Sequence, residues 1–222
     1  MAYLYETHCH CCQCSRCAHS TSEELVRAYH TAGYAGLVLT DHFILGNTAI
    51  DRSLPWDTQM RLYHGAYLQA KALGQTLDLD VIFGIEHACE GAEYLCYGID
   101  LPFLLAHPEI PDLPLDRFSH LVHEYGGILI QAHPFRWAPA GTPLRTDLID
   151  GIEVYNAGNS PEANRNAQNA IQGSMILTSG GDIHLATDQR IGTAGILLPY
   201  RVHDEKKLVT ALKDHHHAPL LP

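Results

Sequence analysis

The sequence predicts an α/β protein built around a largely parallel sheet. Three observations carry that prediction. Short apolar runs alternate with helical stretches along the chain. Polar residues capable of chemistry gather just after those runs. No glycine-rich GxGxxG or Walker loop follows any run, so an open doubly wound sheet, still an alternative, lacks its usual signature. The strand-like runs number seven or eight, which suits a barrel. The 222 residues, 46% of them hydrophobic, fit a single domain over residues 1–222 with a sizeable core.

Each element has a local reason. Ala2–Thr7 is a short apolar and aromatic run, read as the first strand. Ser20 and Glu23 stand three residues apart, as in a capping box, and open a helix to about Ala32, where Gly33 stops it. Ala35–Thr40 is a continuous apolar run, the pattern of a parallel strand buried on both faces. A polar loop leads to a helix over about Asp57–Leu73. Val81–Ile85 and Tyr94–Ile99 are the next strands. Leu115–Tyr125 reads as a helix ended by Gly126 and Gly127. Ile128–Ala132 and Ile152–Tyr155 are strands, and Pro161–Ile171 is a helix. Met175–Ser179 and Gly195–Leu198 are strands, and Glu205–Lys213 is a last helix. No internal repeat, linker or low-complexity segment interrupts this order.

Asp and Glu (25) outnumber Lys and Arg (14), for a formal net charge of −11. Such a chain has no general attraction for nucleic-acid backbone or an anionic membrane surface. Nucleic acid is therefore disfavoured as a partner, although a local basic pocket stays open. No stretch reaches the roughly 18–20 apolar residues of a membrane span, so no membrane is expected. The first twenty residues lack an apolar signal core, and the expected location is the cytoplasm. Two counts stand out, 16 His and 7 Cys. An odd cysteine number without a secretion signal points to reduced thiols. Imidazole and thiolate are also common metal ligands.

The histidines and carboxylates sit at strand ends. His8 and His10 follow the first strand, Asp41 and His42 the second, and Glu86 and His87 the third. His133, Asn156, and the pair Asp182 and His184 follow three more. In α/β barrels the active site lies at the carboxyl ends of the strands. Any one of these residues alone reads as structural or exposed; together they predict a metal centre. On an extended segment residues i and i+2 point to the same side, so His8 and His10 can approach one ion, as can Asp182 and His184. His-plus-carboxylate sets suit Zn, Mn or Fe.

The motifs His8-x-His10, Thr40-Asp41-His42, Gly84-Ile85-Glu86, Ala132-His133-Pro134 and Gly181-Asp182-Ile183-His184 run in order over residues 8–184. This set resembles the PHP family (polymerase and histidinol phosphatase). The resemblance implies a distorted (β/α)7 TIM-like barrel that binds two or three divalent ions and cleaves phosphate esters. His8, His10, Glu86 and Asp182 would bind a first metal. Glu86 would bridge to a second, also held by His133, and His42 and His184 would hold a third. The family places a further His on the second metal, in a segment that reads Glu93-Tyr94-Leu95-Cys96-Tyr97-Gly98 here. Glu93 is the candidate replacement, against a solvated glutamate with water completing the site. The third metal takes a His or Asp a few residues beyond the first motif, where this chain offers Cys14, Ser15, Cys17 and His19. Cys17 is the chosen candidate. His87 and His107 have no motif support and are expected behind the ligands or at the surface.

The chemistry implied is hydrolysis of a small phosphomonoester by a metal-bridged hydroxide, with Glu86, His133 and Asp182 at its centre. Two ions about 3.5–4 Å apart bring a shared water toward a pKa of about 7, and they neutralise the phosphoryl oxygens. Asp41 orients a ligand or protonates the leaving group. Arg136, Arg16 and Arg190 are candidate phosphate binders, with surface ion pairs as the alternative for each. Leaving-group selection is expected in the loops at residues 43–56 and 137–144, where Phe43, Trp56 or Trp137, or nearby Tyr155, could stack on a ring.

Three rival readings remain at this level. Cys11, Cys14 and Cys17 have the spacing that begins a ferredoxin-type cluster run, but the fourth cysteine is missing, and Cys89 or Cys96 would have to supply it. A PHP-type module can be non-catalytic. A PHP-type enzyme can act on protein phosphotyrosine. The oligomeric state is not readable, and His215, His216 and His217 are set aside as an adventitious metal binder.

Overall fold

The computed structural model describes residues 2–222. Its sheet runs in the order β7-β6-β5-β4-β3-β2-β1-β8-β9 and curls into a nearly closed barrel. The strands are β1 (Tyr3–Cys9), β2 (Gly36–Leu39), β3 (Asp80–Cys89), β4 (Ala92–Tyr97) and β5 (Ile128–Gln131). They continue with β6 (Gly151–Asn156), β7 (Ile176–Gly180), β8 (Ile196–Leu198) and β9 (Ala218–Pro219). Six helices connect them: α1 (Ser22–Thr31), α2 (Trp56–Leu77), α3 (Leu101–Ala106), α4 (Leu115–Tyr125), α5 (Pro161–Asn169) and α6 (Glu205–Lys213).

The expectation of a largely parallel sheet is corrected. Four neighbouring pairs are parallel, β1–β2, β2–β3, β5–β6 and β6–β7. Four are antiparallel, β1–β8, β3–β4, β4–β5 and β8–β9. The cause at β4 is local. Glu90 and Gly91 both take positive φ (51° and 81°), the two-residue hairpin geometry that returns the chain at once. A parallel neighbour would need a long crossover instead.

Other elements shift by small amounts. The helix cap is Thr21 with Glu24, one residue beyond Ser20 and Glu23: Glu24 N donates to the Thr21 hydroxyl at 3.2 Å, and Thr21 N donates to Glu24 Oε2 at 2.7 Å. Ser20 instead accepts from Ala186 N, tying α1 to the distant loop after β7. Helix α3 is absent from the sequence expectation, and it contains Pro102. That proline sits in the first turn, where no N–H is needed, behind an Asp100 cap. Strand β3 runs four residues past Ile85, because β4 pairs with that extension.

The core has two layers. Val38, Ile82, Leu95, Ile128 and Ile130 fill the barrel interior, joined by Leu208, Val209, Ala211 and Leu212 of α6. Leu37, Leu39, Val81, Phe83 and Ile85 face outward against the helices. Strict alternation on β3 therefore puts Ile82, Gly84 and Glu86 on the inner side. The barrel closes between β1 and the segment at and beyond β7: Thr7 Oγ1 donates to Ser179 O at 2.9 Å, Asp182 N to His8 O at 2.8 Å, and His10 N to Ile183 O at 2.9 Å.

Candidate metal centre

The first ligands owe their aim to an irregularity. The β1–β2 register shifts between Glu6 and Cys9. Such a bulge re-aims side chains and increases local twist. The Glu6 carboxylate supports it, because Oε1 accepts from Thr7 N, His8 N and Gly181 N, and Oε2 accepts from the Tyr29 hydroxyl. Burial pushes the Glu6 carboxyl up to about 7 against those donors. His8 and His10 are then fully buried side by side, with ring centroids 5.0 Å apart.

Glu86 stands at the centre. His133 Nε2 lies 3.0 Å from its Oε1 and His8 Nε2 lies 3.2 Å from the same oxygen. His42 Nδ1 is 2.6 Å and His10 Nε2 3.7 Å from Oε2. Asp182 Oδ1 lies 3.2 Å from His10 Nε2, 3.6 Å from His184 Nδ1 and 3.7 Å from His8 Nε2. Glu93, reached through the β3–β4 hairpin, brings Oε2 to 3.4 Å from His133 and Oε1 to 3.7 Å from His42. Burial opposes ionisation of Glu86, yet the neighbouring imidazoles of His8, His133 and His42 hold its carboxyl well below the usual range. Asp182 follows the same pattern, with His8, His10 and Arg136 outweighing burial.

The donor set fits divalent ions. Four overlapping groups each place three ligand atoms within 4.8 Å of one another: His8, His10 and Asp182; His8, Glu86 and His133; His42, Glu86 and Glu93; and His10, His42 and His184. His8 Nε2, His10 Nε2, His42 Nδ1 and Glu86 Oε2 are buried without a partner in hydrogen-bonding geometry. Buried polar atoms are normally satisfied, and leaving one orphaned costs about 1–3 kcal/mol. Four such atoms aimed at one space form the donor pattern of a metal site.

Cys17 lies beside the last of these groups. His19 N donates to His184 O at 2.8 Å, and His42 N donates to Ser15 Oγ at 3.0 Å, which draws the Ser15–His19 loop against both histidines. Burial alone would raise the Cys17 thiol, but the neighbouring imidazoles of His184 and His42 bring it down to about 6. Cys11 and Cys14 part company with it. They are buried with Asp41, where Cys11 Sγ donates to Asp41 Oδ2 and Cys14 Sγ to Tyr63 O. The three cysteines therefore do not converge on one cluster, which removes the ferredoxin-type reading.

The remaining candidates sort themselves. Asp41 turns away from the ligands and accepts from Cys11 N at 2.7 Å and Ser15 Oγ at 2.7 Å. Both of these bonds fall on Oδ1, while Oδ2 accepts from Cys11 Sγ at 3.0 Å, so the carboxylate holds the loop. Arg136 donates to Asp182 Oδ2 at 2.6 Å, Asn156 Oδ1 at 2.7 Å and Asn159 Oδ1 at 2.8 Å. Arg190 forks onto Asp188, and its Nη1 stands 3.2 Å from where a Cβ on Gly158 would be; Arg136 Nη2 stands 3.0 Å from the same point. Arg16 is exposed, and its Nε donates to Thr48 O at 2.7 Å. Among the aromatic candidates Phe43 is core, Trp56 donates to Leu104 O, Tyr155 is half-buried and Trp137 is exposed. His107 pairs with Glu109 at the surface. His87 lies neither behind the ligands nor outside: it is buried on the opposite face of β3, 4.3 Å from the Phe118 ring.

Sequence reading misses Glu153. It is fully buried on the inner face of β6, its Oε1 is 3.0 Å from His8 Nδ1, and its Oε2 accepts from His133 N at 2.7 Å. It thus fixes which His8 nitrogen faces the cluster. Its signal was there: a lone carboxylate inside the apolar run Ile152-Glu153-Val154. Backbone strain accompanies the site, because His133 (φ 29°) and Asp182 (φ 52°) both adopt left-handed conformations. At Gly180 a Cβ would collide with Glu153 Oε1 and stand 2.6 Å from His8 Cβ.

No family model matches the chain, and no curated protein does. Solved structures do. A two-domain protein from Bacteroides vulgatus ATCC 8482 containing a predicted PHP-like metal-dependent phosphoesterase superposes with a TM-score of 0.68 at 15% identity, over 100% of this chain and 65% of that one. The chain has the PHP-type fold. Endonuclease Q, in complex with a 27-mer duplex bearing an abasic lesion at the active site, matches with a TM-score of 0.67 at 12% identity, over 96% of this chain and 57% of that one. An amidohydrolase from Chromobacterium violaceum with bound sulfate and no metal matches with a TM-score of 0.60 at 14% identity, over 96% and 97%. The present chain thus spans less than two thirds of two of these proteins. The expectation against nucleic acid loses its support here, since Endonuclease Q holds a duplex. The net charge counts side chains only, and cations held at a site reverse the local field. Among the described residues no helix is long and apolar enough to cross a membrane.

Proposed function

We propose that the chain is a metal-dependent phosphomonoesterase with two or three divalent ions at the mouth of its barrel. One observation carries this reading: buried, unpartnered ligand atoms of His8, His10, His42 and Glu86 converge beside a fixed guanidinium, Arg136. His8, His10 and Asp182 would hold one ion, Glu86, His133 and Glu93 a second, and His42, His184 and Cys17 a third. When bound, the ions supply Lewis acidity toward water and the phosphoryl oxygens. Zn, Mn and Fe suit the nitrogen and oxygen ligands, and the Cys17 thiolate favours the softer Zn or Fe.

The chain's own residues do the rest. Arg136 has five N–H donors, of which three serve Asp182, Asn156 and Asn159; the other two are available to phosphoryl oxygens. Arg190 Nη1 adds a second cation across Gly158. Glu153 keeps the His8 ring oriented, and Asp41 keeps the loop carrying His10 and Cys17 in place. The substrate would be a small phosphate monoester, and seven unpaired thiols suit the reducing cytoplasm. The test is a panel of phosphomonoesters, phosphodiesters and amides with Mn and Zn added separately, beside elemental analysis. Phosphomonoester turnover with two or three ions per chain is the expected result. Turnover confined to diesters or amides, or a fully metallated protein cleaving nothing, would overturn it.

A further inference from the structure

We infer that the leaving group is a neutral ring-bearing alcohol or phenol, bound in the cleft beside His133 with Trp137 as its wall. The inference rests on the phosphomonoesterase reading and names its substrate class. A cleft of about 680 Å³ runs from the β3–β4 hairpin to the loop after β5. It reaches the metal centre directly, because His133, Glu93 and Arg136 all line it. A volume of this size suits a small organic group, and most such sites are apolar with a few placed polar groups.

Trp137 is the odd residue in that wall. It is 83% exposed, the most open of the large apolar side chains, and stands one position beyond Arg136. Leu45 faces the same cleft at 47% exposure. Leu113 and Phe135 complete an apolar lining. Of the other aromatic candidates, Phe43 is in the core and Trp56 donates to Leu104 O. A flat ring stacking on Trp137 would cover the indole and leave its phosphate beside Arg136. The two side chains leave adjacent positions of the loop after β5, and both line the cleft.

The charge of the lining selects further. Glu90, Glu93 and Asp112 border the cleft, and Arg136 is its one basic residue. That guanidinium is already drawn to Asp182 on the metal side. Glu90 is partnered by Arg145 and Leu115 N, and Glu93 belongs to the proposed metal set, which leaves Asp112 to meet a second phosphate without a cation of its own, a like-charge contact that disfavours polyanions. The cleft therefore fits a monoester such as an aryl phosphate, and disfavours nucleoside bisphosphates.

The experiment compares phenyl phosphate, glycerol 2-phosphate and adenosine 3′,5′-bisphosphate on the metal-loaded protein. Phenyl phosphate should lead in kcat/KM. Trp137→Ala should raise KM for phenyl phosphate about 5–10-fold, the size of a lost stacking contact, and leave glycerol 2-phosphate unchanged. Trp137→Phe should recover most of that loss. Asp112→Asn should improve the bisphosphate selectively. Binding of phenylphosphonate, which cannot be hydrolysed, should quench tryptophan fluorescence in the wild type and not in Trp137→Phe. Equal effects of Trp137→Ala on both monoesters, or no quench at saturating phenylphosphonate, would overturn the inference. Failure to cleave any of the three esters would instead overturn the phosphomonoesterase reading, while the quench would still decide how the cleft is used.

Discussion

Two polar clusters at opposite ends of the barrel use the same residue types and do opposite things. At the start of β3, Asp80 accepts from the Tyr5 hydroxyl at 2.6 Å, His203 Nδ1 at 2.7 Å and Arg201 Nε at 2.9 Å. Every partner there finds the other, and the cluster is closed. At the mouth, His8, His10, His42 and Glu86 keep buried atoms unpaired, and His133 and Asp182 sit in left-handed backbone. A saturated network stabilises; an unsaturated one stores binding capacity. The residue types cannot tell the two apart, but the count of unmet partners can.

That contrast can be broken by mutation at either end. The largest effect is expected from Glu86→Gln, which removes the central carboxylate. Metal content measured by elemental analysis should fall from two or three ions to at most one, and retention of the full complement would end the unsaturated reading. Next comes Glu153→Gln, which touches the far nitrogen of His8, the His133 amide and the Asn156 amide nitrogen. Loss of such a supporting partner should weaken metal binding about 10–100-fold, read by competition with a chromophoric chelator, with the fold intact. Asp80→Ala should do the reverse. Metal affinity should stay within error while urea unfolding shows a loss of about 2 kcal/mol, since three donors lose their acceptor. A change in metal affinity there would mean that the two ends are coupled. The smallest effect is expected from Thr21→Ala, about 1 kcal/mol of stability from the lost α1 cap and none at either cluster.

The ends of the chain's elements were readable to different degrees for physical reasons. Helices α4 and α6 follow from periodicity together with their stops, Gly126 and the end at Lys213. The candidate cluster of His8, His10, His42, Glu86, His133, Asp182 and His184 was readable because chemistry-bearing residues follow apolar runs in a recurring order. Glu153 was not, because a buried carboxylate inside a strand resembles an ordinary strand residue until its histidine partner is known. The bulge at Glu6–Cys9 was equally hidden. Regular i, i+2 alternation predicts His8 and His10 on one side, but which side depends on a register shift that only the neighbouring strand reveals. The roles offered for Asp41 and Arg16 could be separated only by seeing where their atoms point.

The β3–β4 hairpin has a consequence for how such a site can change over time. Glu93 is locked into ladders on both flanks, opposite Ala88 on β3 and through its carbonyl to Ala132 N at 2.9 Å. The ladder thus holds a socket whose backbone is indifferent to what side chain fills it. Exchanging the ligand there takes one codon and no remodelling. Inserting one residue at Glu90–Gly91 would instead turn Glu93 to the outer face and put a neighbour in its place. Variation in metal preference among chains of this shape should therefore accumulate by substitution at such sockets and be barred from the turn that aims them.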